Sequence, residues 1–264
     1  MKNDEYWQER VRKQQEIDYK ENQATLKKEL HRVYKAMAKE LEGEILRVYA
    51  KVEADKADGK DLQINDFFRN NRYWALLERT NELLKGLGQE QIEITLPALV
   101  ELYEKSMATI TKEAPESLVK QAFVVPSAVD AKQAVAQAWA LDGKDFSSRV
   151  WEDKSLLRDV LRRELENNII NQRGPWETAK RVMECTGQSE RNALRLARTE
   201  GAHAQIMGAQ RRYKELGFQH GKFLPAPDCC DKCQQAGGEI FPIEQASRML
   251  PAHPNCRCSF VAVP

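Results

Sequence analysis

Five of the six cysteines lie between Cys229 and Cys258, and this crowding constrains the fold more than any other feature of the chain. Cys230-Asp231-Lys232-Cys233 is a C-x-x-C, a spacing that lets two thiolates converge on one ion from a tight turn. His253-Pro254-Asn255-Cys256-Arg257-Cys258 supplies a second half-site. In a reducing compartment thiols clustered in this way favour metal ligation over disulfides. Two such half-sites can close a tetrahedral zinc site, with Cys230, Cys233, His253 and Cys256 as the preferred ligands and Cys258 competing for the last place. Four protein ligands leave no position for a reactive water, so the expected role is structural. A disulfide under oxidising conditions is the alternative reading of the same thiols. Cys229, adjacent to Cys230, reads as a spare thiol, and Cys185 as a small apolar residue on a helix. His31, His203 and His220 are scattered and read as packing or surface residues.

The tail that carries the cluster, Phe218 to Pro264, holds six prolines and is too broken for long helices, so short strands and loops are expected. A tail of this size builds little core of its own, and a bound metal would supply part of its order.

Upstream the chain reads as helix. Leu26, Leu30, Val33, Met37, Leu41, Ile45 and Val48 recur at steps of three and four and make one apolar stripe. Like charges at i,i+4, such as Lys35 with Lys39 and Glu40 with Glu44, leave that helix dependent on packing against neighbours. A turn is expected at 57–60. The next helix carries Phe67, Phe68, Trp74, Leu76, Leu77, Leu83 and Leu84 and should end near Gly86-Leu87-Gly88. Another spans Ile92 to Ile110, with Pro97 best suited to a first turn. A connector covers 114–127, and an alanine-rich helix runs from Ala131 to Ala140. Leu156, Val160, Leu161, Leu165 and Ile169 mark a helix that stops at Gly174-Pro175. Trp176 to Cys185 should be stopped by Gly187, with Ser189 capping a last helix that ends at Gly217. The expected fold is mainly α. A long-helix bundle over 1–145 precedes a helical plus small β module over 146–264, stapled by zinc.

Charge adds a modest constraint. The net charge is +1, so no whole-molecule field draws the chain onto nucleic acid. From Phe146 onward there are 18 basic against 14 acidic residues, which permits nucleic-acid contact there without arguing for it. No apolar run approaches the roughly 20 residues of a membrane helix. The opening residues lack the apolar stretch of a secretory signal, so intracellular synthesis is expected. Arg191, Arg195 and Arg198 line one helical face, as a DNA-phosphate stripe would. The favoured reading is that they pair with carboxylates and fix the helix against the tail. No glycine-rich phosphate loop, H-E-x-x-H or G-x-S-x-G occurs, and nothing in the sequence requires catalysis.

An ordered set of motifs resembles the Mu protein F-like family of phage head-morphogenesis, or minor head, proteins. It begins with Arg195-Leu196-Ala197-Arg198-Thr199-Glu200 and passes through Tyr213, Gly217, Asp228 and the Cys230/Cys233 pair. It closes with Pro251-Ala252-His253-Pro254-Asn255-Cys256-Arg257-Cys258, its most specific element. The similarity covers 146–264, and the N-terminal half matches only loosely. Two departures stand out. Phe223-Leu224-Pro225 replaces a tryptophan-containing strand of many relatives, and Cys229-Cys230 doubles a usually single cysteine, which leaves the ligand set open. The resemblance implies a low-copy, non-enzymatic virion component of the head interior or portal vertex. Its implied partners are the portal protein, the major capsid or scaffold protein and packaged double-stranded DNA, with a role in procapsid assembly and in DNA packaging or ejection. Two other classes are weighed against it. One is a Mu F-like toxin- or nuclease-associated enzyme using Glu200 and His203. The other is a zinc-dependent DNA-binding protein.

Overall fold

The computed structural model describes residues 2–55, 64–116, 128–140 and 142–263. The fold is mainly helical with one small sheet, as the sequence implies. Its helices are α1 (Lys2–Ala54), α2 (Ile64–Phe68), α3 (Arg72–Glu113), α4 (Ala128–Ala136), α5 (Phe146–Ile170) and α6 (Pro175–Glu215). The tail adds β1 (His220–Leu224), α7 (Asp231–Gln235), β2 (Ile240–Pro242), α8 (Ala246–Met249) and β3 (Ser259–Val263). The turn expected at 57–60 and most of the connector at 114–127 fall outside the described residues.

Two of the helices are longer than their sequences suggest. Pro97 lies inside α3, which also runs through Gly86 and Gly88. Proline removes one ladder hydrogen bond, and burial of Leu87, Leu99, Leu102 and Tyr103 along the same helix outweighs that loss. Gly187 does not stop α6, and Ser189 is not a cap. Ser189 is buried in mid-helix, where its hydroxyl donates to Asp153 Oδ2 at 2.6 Å. Pro175 and Gly217 bound this helix as expected, and Gly217 adopts a positive φ of 86°.

By contacts the described residues form two compact units that cut across chain order, where the sequence suggests a division at 145/146. The first comprises Met1–Lys27, Ile94–Ser147 and Leu194–Pro264, and the second Lys28–Glu93 and Ser148–Ala193. Long helices put residues distant in sequence side by side, so α1, α3 and α6 each contribute segments to both.

The second unit buries the greater part of the α1 stripe. Leu30, Val33, Met37, Leu41 and Ile45 are buried, and Tyr49 is buried where Val48 was expected. Arg79 of α3 pairs with both Glu40 and Glu44, so packing answers the like-charged pair. Phe67, Leu76 and Leu84 are buried as expected, while Phe68 and Trp74 are exposed and Tyr73 is buried beside them. Lys154 is also buried. Its ammonium donates to Tyr34 Oη, to Asp153 Oδ2 at 2.7 Å and to Ser189 Oγ at 3.2 Å, the partners that make a buried charge tolerable.

In the first unit the tail folds onto helices. Its sheet is antiparallel in the order β2-β1-β3. Gly221 of β1 is opposite Phe241 and Ala262, and an added Cβ would lie 2.8 Å from Phe260 Cδ2. The absent side chain lets the rings of Phe241 and Phe260 approach to 5.8 Å over the strand. These rings belong to a core shared with Trp7 and Val11 of α1, Ile110 of α3, and Ile206, Ala209 and Tyr213 of α6. The tail therefore borrows a core from the helices.

Gly208 of α6 sits where the helix meets α3, and an added Cβ would fall 2.3 Å from the carbonyl oxygen of Tyr103. Gly208→Ala should gain up to roughly 1 kcal/mol of helix propensity, yet it forces the helices apart. A net destabilisation of about 1–3 kcal/mol is expected, measured as a lower urea midpoint with an unchanged denaturant slope.

Candidate metal centre

Two short elements of the first unit present the thiols and the imidazole. Cys230 is the N-cap of α7, and Cys233 lies three residues on in the first turn, buried. The second half-site is a turn in which the amide of Cys256 donates to the carbonyl of His253 at 3.0 Å. Between them Asn255 adopts φ 62°, a left-handed conformation that asparagine tolerates better than most residues. Arg257 pairs with Asp228 and so ties the two half-sites together.

The side chains converge. His253 Nε2 lies 3.3 Å from Cys230 Sγ and 3.4 Å from Cys233 Sγ, and Cys233 Sγ lies 4.0 Å from Cys256 Sγ. A tetrahedral ion with metal–sulfur bonds of about 2.3 Å spaces its ligand atoms by roughly 3.5–3.8 Å, and these three separations lie near that spacing. Two donor triads are present, Cys230/Cys233/His253 and Cys233/Cys256/Cys258, each with its atoms within 4.8 Å of one another. Cys233 belongs to both. The cluster could hold a metal ion, and all five residues expected from the sequence are within it.

Neighbouring groups suit that use. His253 Nδ1 lies 3.0 Å from the Pro254 carbonyl oxygen, so Nδ1–H donates there and leaves the Nε2 lone pair facing the thiols. The amide of Ala226 donates to Cys258 Sγ at 3.5 Å. Burial, then the hydrogen bond with Cys230 and the charges of Cys256 and Cys258, push the Cys233 thiol well above the usual range. Burial pushes Cys258 up to about 11. The backbone N–H of Cys233 lowers the pKa of Cys230. Mutual repulsion among thiolates is what a bound cation relieves. All six cysteines are free thiols. Cys229 turns toward Gln234 Oε1, at 3.3 Å, and Cys185 is half-buried on α6.

The arginine face takes a different form from the favoured carboxylate pairing. Arg191, Arg195 and Arg198 are all exposed. Arg191 bonds Gln188 Oε1 at 2.6 Å, and Arg198 Nε donates to Asn255 Oδ1 at 2.9 Å. Thr199 accepts the Asn255 amide at 3.0 Å, so α6 grips the turn between His253 and Cys256 directly. Glu200 is buried and accepts from Trp139 Nε1 at 2.9 Å. Trp139 also stacks on His203 with centroids 4.1 Å apart, while His203 Nε2 donates to the Ser247 carbonyl at 3.0 Å. The sequence motifs contain Thr199 and Asn255 without marking them as a pair, and Trp139 lies outside those motifs. For Asn255 the signal was its place between two ligands in a turn; nothing in the sequence around Trp139 marked it.

Two outcomes follow. Loss of the donor common to both triads should abolish metal uptake in Cys233→Ser, whereas Cys229→Ser should keep the wild-type metal content, read by elemental mass spectrometry. Burial lowers His203 from 6.5 to about 4. The unfolded chain then binds the extra proton, so the His203 contribution is complete above about pH 6.5 and declines as pH falls towards 4. At about 1.4 kcal/mol per unit the loss is on the order of 3 kcal/mol, and urea unfolding of His203→Gln should lack that part of the slope.

Comparison of the chain with protein-family models, with curated proteins and with solved structures gives no match.

Proposed function

We propose that this chain is a minor head protein of a tailed bacteriophage, a non-enzymatic assembly component whose tail is stapled by zinc. One observation carries the reading. The two sequence blocks on which the resemblance to the Mu F-like family rests, Arg195–Glu200 and Pro251–Cys258, lie more than fifty residues apart yet interlock through Arg198, Thr199 and Asn255. A shared motif whose halves serve one centre is what a family fold would retain.

Zinc is the ion that best suits three thiolates and an imidazole in closed tetrahedral geometry. Cys230, Cys233, His253 and Cys256 would hold it, and Cys258, anchored by Ala226, stands beside them as the competing donor. Such a centre supplies order rather than chemistry. The residues that an enzymatic reading would use have structural partners instead. Glu200 accepts from Trp139, and His203 stacks on Trp139 and donates from Nε2 to the Ser247 carbonyl. Long helices offer extended surfaces for the portal and capsid or scaffold proteins. Among the described residues no helix is long and apolar enough to cross a membrane.

The test is affinity capture of the tagged protein from cells producing phage particles, with bound proteins identified by mass spectrometry. Portal and capsid proteins recovered in a fixed ratio are the expected result. Recovery of nucleic acid in a salt-sensitive manner, or of host proteins alone, would replace the head-assembly reading with the DNA-binding or toxin class.

A further inference from the structure

Building on the metal reading of the Cys/His cluster, we propose that Arg198 and Thr199 of α6 are positioning residues that set how tightly the cluster holds its ion. Among the described residues neither bonds to a donor atom. Both act through Asn255, which separates two of the donors, His253 and Cys256.

The turn that carries those donors has little burial to fix it. Ala252, His253, Pro254 and Asn255 are all exposed. Its shape depends on the left-handed φ of Asn255 and on the Cys256-to-His253 backbone bond. Rotation at Asn255 would swing Cys256 away from Cys233 and shift the His253 ring, whose Nδ1 bonds the Pro254 carbonyl within the loop and whose Nε2 faces Cys230 and Cys233. Two consecutive residues of α6 oppose that rotation. Thr199 Oγ1 accepts the Asn255 amide, and Arg198 Nε donates to Asn255 Oδ1.

The clamp is itself oriented. The Thr199 hydroxyl donates to the Arg195 carbonyl at 2.9 Å, an i−4 bond that directs its lone pairs outward to the Asn255 amide. The Arg198 carbonyl receives the Tyr19 hydroxyl at 3.0 Å, which steadies this turn of α6. The loop is thus held in the ligating shape by a regular helix, and an arriving ion need not order it. Preorganisation of this kind appears as affinity, and groups that orient metal ligands contribute about 10- to 100-fold.

The experiment is cobalt(II) binding to the full chain, followed by visible spectroscopy in competition with a chelator. Thr199→Val keeps the side-chain volume and removes the acceptor. It should weaken cobalt binding about tenfold or more while leaving the band positions unchanged, because the donor atoms are the same. Thr199→Ser should restore wild-type affinity. Asn255→Gly, which permits the positive φ but loses Oδ1, should weaken binding as well. Arg195→Ala, one turn away, should bind like wild type, and far-ultraviolet dichroism should be the same throughout. Equal affinity in wild type and Thr199→Val, or failure of Thr199→Ser to restore it, would overturn the positioning role and leave the metal centre standing. A wild-type chain that takes up no cobalt or zinc would remove the metal reading itself, and this inference with it.

Discussion

The segment of α6 from Arg198 to His203 is the constraint on which the first unit depends. Arg198 and Thr199 hold the ligand turn at Asn255, Glu200 holds Trp139, and His203 holds the chain at Ser247. Four side chains on less than two turns of helix thus fix three stretches that the chain supplies from both sides of α6 in sequence. Because a helix sets the spacing of its side chains rigidly, those stretches are fixed relative to one another as well. Gly201, in the middle of the segment, leaves room for Gln23 and Leu102, and a Cβ there would meet Gln23 Nε2 at 2.8 Å. The neighbours therefore approach the helix backbone where the latch residues operate.

Apolar burial and the thiol cluster act on the same tail by different means. Burial is non-directional, and it places Phe241, Phe260, Ile243 and Leu250 against Trp7, Ile110 and Tyr213. It cannot choose the conformation of an exposed turn. The hydrogen bonds from α6 and the convergence of donors on one point do that. Cys233, Cys256 and Cys258 belong to both systems, since their side chains are part of the buried core and their sulfur atoms face one another. Burial first, and then the neighbouring cysteines, make Cys233 and Cys258 costly to ionise without a cation. This energetic tension is what metal binding would resolve.

The sequence made some of this legible and hid the rest for physical reasons. Spacing of C-x-x-C and H-x-x-C-x-C identified the cluster, because ligand geometry is encoded locally in tight turns. Periodicity identified the α1 stripe, and only its last position differs, with Tyr49 buried and Val48 half-buried. Helix ends were less legible. Pro97, Gly187 and Ser189 carry real local preferences, but tertiary burial and the Lys154–Asp153–Ser189 network override them. The pairing of Arg198 with Asn255 rather than with a carboxylate was not readable, since many partners fit an exposed guanidinium. The role of Trp139 depends on its meeting Glu200 and His203, sixty residues away in sequence.

On the function proposed here, the two halves of the cysteine and histidine motif form one closed metal centre. X-ray absorption fine structure of the zinc-loaded protein tests it most directly. A four-coordinate ion with three sulfur neighbours at about 2.3 Å and one imidazole nitrogen at about 2.0–2.1 Å is the expected result. A shell made only of light oxygen or nitrogen atoms would contradict it, because the ion would then lie elsewhere and the thiols would have to be explained by packing alone.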